Sequence, residues 1–328
     1  MACWREWVVK MKIAFHDNSL CLFGTTVAIR NWAFWGRELL GYEPVFLYNR
    51  KHRANNQVVI DNFKSEFDNN VFPYTDMSEI DQILSSNNCE YFLMEKCGKP
   101  DGVISTVSKN LINAIAICSA NDIHGDVFAM GSEWLSKITN YQIPFVPYIV
   151  HLPDINTDLR IDLGIPDNAL VIGRNGGFES FDIAFVKEAI DEVINLRSDL
   201  WFVFQCTEKF IDHPRIIFLP CSNNIEYKTK FINTCDAMLH ARTVGESFGM
   251  ACGEFSIRNK PIITWYDSVE KSHIDILGLV GIYYINKSDI RNILLNISKS
   301  DIKDKYWNCY TNYSPELVME KFNKVYID

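Results

Sequence analysis

The stretch MKIAFHD (residues 11–17) is a short apolar run that ends in polar residues, as a buried β-strand does. FGTT (23–26) follows it, with a glycine and two threonines of the kind that begin helices, and residues 26–40 place apolar side chains at helical spacing. PVFLYN (44–49) is a second apolar strand. A strand, a glycine turn, a helix and a second strand make a βαβ unit, so the chain opens as a parallel sheet.

The same alternation continues along the rest of the chain. In the first half, we predict a helix from WLSKI (134–138) and strands at EYFLME (90–95), DGVISTV (101–107), NAIAICSA (113–120) and VFAMGS (127–132). In the second half, residues 169–196 are predicted to form a strand, a glycine loop and a helix. Further strands are predicted at 200–206, 215–220, 236–242, 261–265 and 281–285, with helices at 223–235 and after 249.

A proline-rich segment divides the two halves. IPFVPYIVHLPDI (143–155) holds three prolines, and such extended segments mark domain edges. We predict an α/β protein with two tandem Rossmann-like, doubly wound domains facing a cleft: an N-terminal domain over 1–150 and a C-terminal domain over 151–328, whose last helix is free to pack back on the first domain. In such sheets, ligands bind at the carboxyl ends of the strands.

The composition excludes several classes of protein. The chain has 328 residues, 48% of them hydrophobic, and a net charge of −9, which disfavours nucleic-acid binding. Its 10 cysteines form no CxxC pair, so we expect free thiols in a reducing compartment. No secretory leader and no run of 18 apolar residues is visible, so we expect a cytoplasmic protein.

The stretch GESFGMACGE (245–254) places Glu246 in a loop after a strand and Glu254 about one turn into the next helix. Backbone N–H groups at a helix N-terminus favour an anion. The candidate donors here are Ser247, Phe248, Gly249 and Met250. Two carboxylates beside such a nest suit a diphosphate flanked by sugar hydroxyls. The alternative is that Glu246 is only a helix-capping acid.

The stretch HARTVGESFGMACGEFSIRNKPIITW (240–265) resembles the Glu-x7-Glu signature of retaining glycosyltransferases with the two-domain GT-B fold, the large GT4-like family. The resemblance covers most of the C-terminal half, and the N-terminal half only in outline. It implies that Glu254 binds the ribose hydroxyls of a nucleotide sugar. It also implies that Glu246 contacts the donor sugar or its phosphate region.

Two glycine loops extend the candidate site. In IGRNGG (172–177), Arg174 is placed to neutralise a diphosphate leaving group, and Gly176 lets the backbone approach it. The family's usual Lys-Gly is missing here, and whether Lys187 replaces that lysine stays open. In the first domain, the resemblance implies that Gly24 and Thr25 face the donor phosphates or the acceptor, although a simple helix start explains them equally.

Other candidates come from the resemblance or from composition. The resemblance implies that His124 contacts the donor sugar or the acceptor, and that the base is recognised by backbone and shape near Leu219. The alternative for His124 is an ordinary loop histidine. Aromatic and basic residues leave peripheral membrane contact open, with core packing as the alternative for Trp32 and Trp35; they are Trp4, Arg5, Trp7, Arg30, Trp32, Trp35 and Arg37.

Together these features predict a retaining hexosyltransferase that needs no metal or cofactor. It would move a sugar from a UDP- or GDP-sugar to a hydroxyl of a glycan or glycolipid, with Glu246, His124 and Arg174 as catalytic residues. No Asp-x-Asp metal motif occurs in the chain. Two alternatives remain: a degenerate GT-B protein that only binds a nucleotide or glycan, and a nucleotide-sugar epimerase of the same fold.

Overall fold

The computed structural model describes residues 11–22 and 24–328. The chain forms two compact units: unit 1 is Met1–Ile149 with Pro315–Asp328, and unit 2 is Val150–Ser314. The chain therefore enters unit 2 within the proline-rich segment and returns to unit 1 for its last helix.

The elements of the described residues are as follows. The strands are β1 (Lys12–Asp17), β2 (Glu43–Asn49), β3 (Val71–Tyr74), β4 (Tyr91–Lys96), β5 (Lys109–Ala114), β6 (Val127–Met130), β7 (Leu170–Asn175), β8 (Leu200–Gln205), β9 (Ile216–Leu219), β10 (Ala237–His240), β11 (Gly245–Glu246), β12 (Ile262–Trp265), β13 (Glu270–Lys271) and β14 (Ile282–Tyr284). The α-helices are α1 (Gly24–Leu40), α2 (Gln57–Glu66), α3 (Ser78–Ser86), α4 (Glu133–Ile138), α5 (Ala184–Ile194), α6 (Ile225–Thr234), α7 (Met250–Ser256), α8 (Ser272–Leu277), α9 (Lys287–Asn296), α10 (Lys299–Lys303) and α11 (Pro315–Phe322). Short 3-10 or π-helical segments cover Ala120–Asp122, Gly278–Val280, Thr311–Tyr313 and Asn323–Ile327.

Each unit is built on a six-stranded parallel sheet. The strand order is β3-β2-β1-β4-β5-β6 in unit 1 and β14-β12-β10-β7-β8-β9 in unit 2. The strands of each six-stranded sheet can be numbered first to sixth along the chain, leaving out the separate pair β11 and β13. Both sheets then have the order third, second, first, fourth, fifth, sixth, read from β3 in unit 1 and from β9 in unit 2. This is the doubly wound Rossmann order. The predicted α/β class with two Rossmann-like sheets is confirmed. The order reverses between β1 and β4 in unit 1, and between β7 and β10 in unit 2.

Helices packed on the sheets fix where the strand ends lie. In unit 2, α5 buries one apolar stripe against the sheet and packs beside Ile290 and Leu294 of α9; its members are Val186, Ala189, Ile190, Val193 and Ile194. Burying one such side chain stabilises the fold by about 1.5–3 kcal/mol. Truncating one of these core residues to alanine would therefore destabilise unit 2.

In unit 1, α1 uses Trp32 as a core residue. Its side chain is fully buried, and its indole N–H donates to the Pro147 carbonyl at 3.2 Å. Arg30 pairs with Glu66. Core packing, the alternative to membrane contact, is therefore confirmed for Trp32, because the helix turns that side chain inward. Trp4, Arg5 and Trp7 lie outside the described residues.

Some predicted elements differ from the structure. Residues 101–107 form no strand, because Gly102 (φ 82°) turns the chain and β4 pairs directly with β5. Strand β5 begins at Lys109, so the strand predicted over 113–120 was placed too late. Residues 50–89 form α2, β3 and α3, for which there was no prediction.

The cysteine prediction is wrong for one pair. Cys206 and Cys221 form a disulfide. They follow the adjacent strands β8 and β9, whose carboxyl ends lie at one edge of the sheet, so the two side chains meet although 15 residues separate them. Among the described residues the other cysteines are free.

The cytoplasmic location stays a prediction. Over the described part of the chain, no helix has the length and apolarity to span a bilayer.

Candidate functional site

The candidate site lies where the strand order of unit 2 reverses. Arg174 is near the carboxyl end of β7, and His240 is the last residue of the neighbouring strand β10. The register Met238↔Gly173 brings these two strand ends to the same edge of the sheet. Ligands of doubly wound sheets bind outside this edge, at the reversal of strand order.

Arg174 is almost fully buried and holds two loops together. Its guanidinium donates to the Cys206 carbonyl at 2.8 Å, the Thr207 hydroxyl at 2.6 Å, the Gly177 carbonyl at 2.7 Å and the Ser180 hydroxyl at 2.6 Å. These bonds use four of its five N–H groups. Burial lowers the pKa of Arg174 to about 10, so the side chain keeps its charge at neutral pH.

Position 176 has no room for a side chain, because the Arg174 guanidinium folds back over it. A Cβ at position 176 would lie 2.9 Å from a terminal nitrogen of Arg174. The glycine expected to admit a phosphate therefore already accommodates this arginine. Lys187, the doubtful substitute for the missing lysine, places its ammonium 5.5 Å from the Phe210 ring centroid.

Glu246 lies in a short strand, not in a loop as predicted. Residues Gly245 and Glu246 form β11, which pairs in parallel with β13. One carboxylate oxygen lies 3.1 Å from His240 Nε2, and the other lies 3.1 Å from a terminal nitrogen of Arg242. Burial raises the pKa of Glu246, but the hydrogen bond from His240 and the charge of Arg242 outweigh it and bring the pKa to about 2. Glu246 is therefore a fixed anion at neutral pH, with 24% of its side chain exposed.

A buried polar row continues behind Glu246. His240 Nδ1 lies 2.9 Å from the Thr264 hydroxyl, which lies 3.1 Å from His273 Nε2. The two imidazole rings are 4.7 Å apart between centroids. No local sequence motif marks this row, because the pairing of β10 with β12 brings Thr264 beside His240 and α8 supplies His273.

Gly249 ends the loop before α7 in a left-handed conformation. Its φ is 90°, and a Cβ there would lie 2.9 Å from the Cβ of His273. Ser247 and Met250 are partly exposed, but the Phe248 side chain is buried beside Tyr310 and Tyr313. The expectation of substrate binding at Phe248 is therefore limited to its backbone, because its ring is part of the core.

Glu254 lies inside α7 and is 4% exposed. Its carboxylate is paired with the ammonium of Lys228 from α6, a residue that the sequence analysis missed. A ribose reaching Glu254 would have to share the carboxylate with this lysine. Leu219 ends β9, where it is partly exposed, and its carbonyl already accepts the Cys206 N–H at 3.1 Å.

In unit 1, the helix-start residues lie near the reversal of strand order. Burial raises the pKa of Asp17 at the end of β1, although hydrogen bonds from Thr25 and Thr26 oppose the shift. A Cβ added at Gly24 would meet no described atom within 4 Å, so packing within the protein does not require glycine at this position. Thr25 thus lies beside a buried acid that the sequence analysis mentioned only as a strand end.

His124 lies at the other edge of the unit 1 sheet. The Asp126 carboxylate, two residues on, accepts the N–H of Asn110 at 2.7 Å, and Asn110 is near the amino end of β5. The His124 ring packs 5.5 Å from Phe128, and its Nδ1 lies 2.8 Å from the Asp122 carbonyl. This position argues against a catalytic role for His124, because ligands of such sheets bind at the carboxyl edge.

The carboxyl edge of unit 1 holds a different acid. Glu95 near the end of β4 is 4% exposed, and the Tyr148 hydroxyl donates to it at 2.8 Å. Burial, with the nearby Asp17, raises the pKa of Glu95 well above its usual value. Lys96, the next residue, forms its ion pair with Asp101 at 2.5 Å and not with Glu95.

Within residues 11–22 and 24–328, no group of three or more His, Cys, Asp or Glu side chains could hold a metal ion.

The whole chain is similar in fold to solved glycosyltransferases. It matches HepE from Anabaena, solved with UDP and glucose, at 12% identity and a TM-score of 0.68, covering 96% of this chain and 98% of HepE. A glycosyltransferase from Rickettsia africae matches at 12% identity and a TM-score of 0.66, covering 97% and 98% of the two chains. A candidate UDP-N-acetylglucosamine 2-epimerase from Listeria monocytogenes matches at 13% identity and a TM-score of 0.60, covering 96% and 97%.

No family model and no curated protein matched the chain. The solved structures are too distant in sequence to show more than the fold. Their likeness over nearly the full length shows that the two Rossmann-like sheets belong to the GT-B fold, as predicted.

Proposed function

We propose that this chain is a retaining glycosyltransferase of the GT4-like kind, which moves a hexose from a nucleotide-diphosphate sugar to a hydroxyl of a glycan or glycolipid. The observation that carries the proposal is the charge arrangement at the strand reversal of unit 2. There, the anion Glu246 is held by His240 and Arg242. The buried cation Arg174 is near enough for the charge of Glu246 to raise the pKa of its guanidinium, against the larger effect of burial. Such a site offers cations for a diphosphate and a carboxylate for sugar hydroxyls.

The cations have separate tasks in this proposal. Arg242, whose side chain is 35% exposed, faces the diphosphate directly. Arg174 holds the surrounding loops and adds positive charge where the leaving diphosphate gains negative charge. The backbone amides of 247–250 and the carboxylate of Glu254 complete the site for phosphate and ribose, and Leu219 borders the base. No metal is needed in this scheme.

The chemistry proposed is a front-side displacement. The bond between the anomeric carbon and the diphosphate breaks as the acceptor oxygen bonds to the same face, and the departing phosphate oxygen takes the acceptor proton. Glu246 is a poor nucleophile for an alternative covalent route, because two donors already occupy its oxygens. Unit 2 would bind the donor, and unit 1, with Gly24 and Thr25, the acceptor.

The donor base is proposed to be uracil. HepE, which shares the fold, was solved with UDP and with UDP-glucose. An epimerase is the second candidate, because the Listeria protein shares the fold as well. The third is a protein that binds the nucleotide without reaction, since the N–H groups of Arg174 are mostly committed to the protein.

Binding and product analysis separate these candidates. We would titrate the protein with UDP, GDP, ADP and their common sugars, with and without Mg²⁺, by thermal shift. A ligand at 100 times its Kd stabilises the protein by about 2.7 kcal/mol. We expect a shift with UDP that does not depend on Mg²⁺. No shift with any nucleotide would contradict the proposal.

Product analysis then names the reaction. Incubation with UDP-sugar and a set of glycan and glycolipid acceptors should give a new α-linked product from an α-linked donor. An isomerised UDP-sugar would indicate the epimerase, and binding without product the degenerate protein. Asp191→Asn is a matched control for acid variants, because Asp191 is exposed on α5, away from the strand ends.

A further inference from the structure

Behind His240, which holds Glu246, the buried row continues to Thr264 and His273, and these two have no task in the proposed reaction. His240 closes β10, Thr264 lies in β12 and His273 in α8, so three separate elements supply it. Thr264 and His273 are fully buried, and His240 is 7% exposed. A buried row of this kind is costly unless its donors and acceptors match.

The direction of the hydrogen bonds follows from His273. Its Nδ1 is buried and has no hydrogen-bond partner in the structure. Burial, the largest cause, lowers the pKa of His273 to about 3, so the ring is neutral and carries one N–H. A buried N–H without an acceptor is rarer in proteins than an unused acceptor. The proton therefore belongs on Nε2, from which it is donated to the Thr264 hydroxyl.

The remaining bonds are then fixed one after another. Thr264 has a single hydrogen, and His240 Nδ1 is its other neighbour, so the hydroxyl donates to that nitrogen. His240 Nδ1 is then an acceptor, and Nε2 carries the proton. That N–H faces Glu246 at 3.1 Å and donates to its carboxylate. The reverse direction would bury the Nδ1–H of His273 without an acceptor.

We propose that His273 is a positioning residue: through Thr264 it fixes the His240 tautomer that donates to Glu246, and so holds this carboxylate toward the donor sugar. The part about Glu246 and the sugar rests on the function proposed above. The tautomers themselves do not, because they follow from the distances within unit 2. Gly249 supports the arrangement, since its missing side chain leaves room for the Cβ of His273.

The first test reads the tautomers directly. Protein labelled with ¹⁵N-histidine would be examined at pH 7 by long-range ¹H–¹⁵N spectra, with the signals assigned from His240→Asn and His273→Phe. We expect both His240 and His273 to carry the proton on Nε2. A proton on Nδ1 of either ring would overturn the proposal, whatever the protein's activity.

The second test breaks the row at its centre. Thr264→Val keeps the shape of the side chain but removes the hydroxyl, and Thr264→Ser keeps the hydroxyl. We expect the valine variant to lose the fixed His240 tautomer and the serine variant to keep it. With UDP-sugar and acceptor, kcat should fall about three- to tenfold for valine, the effect of one neutral hydrogen bond, while the Kd for UDP stays within about twofold.

The two tests separate the two proposals. If the parent protein shows the expected tautomers but binds no nucleotide, the transferase proposal is contradicted and the tautomer assignment is supported. An active parent whose kcat is the same in Thr264→Val would overturn the positioning role. Rescue by Thr264→Ser would show that the hydroxyl, and not packing at this position, carries the effect.

Discussion

The two sheets share one strand order, yet the pKa values of the acids at the strand reversal shift in opposite directions. In unit 1, burial raises the pKa of Asp17 and raises that of Glu95 well above its usual value. In unit 2, the pKa of Glu246 falls to about 2, so this acid stays charged. The same fold therefore carries acids with raised pKa values at one carboxyl edge and a fixed anion beside cations at the other.

The difference comes from the partners. In unit 1, the acids receive hydroxyl groups, Thr26 on Asp17 and Tyr148 on Glu95, while Lys96 pairs with Asp101 instead. In unit 2, the acids receive cationic or imidazole partners: Arg242 and His240 on Glu246, and Lys228 on Glu254. A fold thus fixes where a site lies, and the partners of its acids decide which ligands suit it.

The largest effect is expected when a buried acid of unit 2 loses its cation. Lys228→Met would leave Glu254 buried without a partner, so the free energy of unfolding should fall by about 3–5 kcal/mol. Urea unfolding measures this. The double variant Lys228→Met/Glu254→Gln should recover much of the loss, and an equal loss in both variants would show that the pair does not set the effect.

The next effect concerns turnover. Glu246→Gln keeps the shape but removes the charge, so turnover of UDP-sugar should fall about 100-fold, in the range seen when one preorganised electrostatic group is removed. Steady-state kinetics measures it, with Asp191→Asn as the control. Turnover within threefold of the parent would break the proposed link between the charge arrangement of unit 2 and catalysis.

A smaller effect tests unit 1 by pH. The raised pKa of Glu95 means that its contribution to stability is full below about pH 4.5 and is lost as the pH rises toward the folded-state pKa. Glu95→Gln is neutral throughout, so its stability relative to the parent should increase with pH, by at most about 1.4 kcal/mol per pH unit. Thermal unfolding between pH 5 and 8 measures this, and a constant difference would contradict the raised pKa of Glu95.

The smallest effect should come from Arg242, which is partly exposed. Arg242→Gln should weaken UDP binding by about 0.2–1 kcal/mol, and the difference from the parent should shrink as salt is added. Titrations at low and high ionic strength measure it. A large loss that salt leaves unchanged would mean that Arg242 is a buried contact in the complex.

Sequence patterns predicted the sheets well because buried parallel strands are continuous apolar runs. PVFLYN and LWFVFQC both became strands within one residue of their predicted ends. The apolar letters of 101–107 misled, because Gly102 and the direct pairing of β4 with β5 turn that segment into a connection.

The site was only partly readable from sequence. Glu246, Glu254 and Arg174 stand in local motifs, whereas Lys228 and His273 gain their partners from other elements through strand order and helix packing. The disulfide between Cys206 and Cys221 was missed for the same reason, since it depends on the pairing of β8 with β9. Pairings of this kind have no signal in a single sequence until the sheet order is known.

The return of the chain to unit 1 sets an order of events during synthesis. Helix α11 buries Val318, Met319 and Phe322, and the Phe322 ring lies 6.0 Å from that of Trp32 in α1. The ribosome makes these residues only after all of unit 2. Unit 1 therefore cannot complete its core until α11 has been made, although the strands of its sheet are translated before those of unit 2.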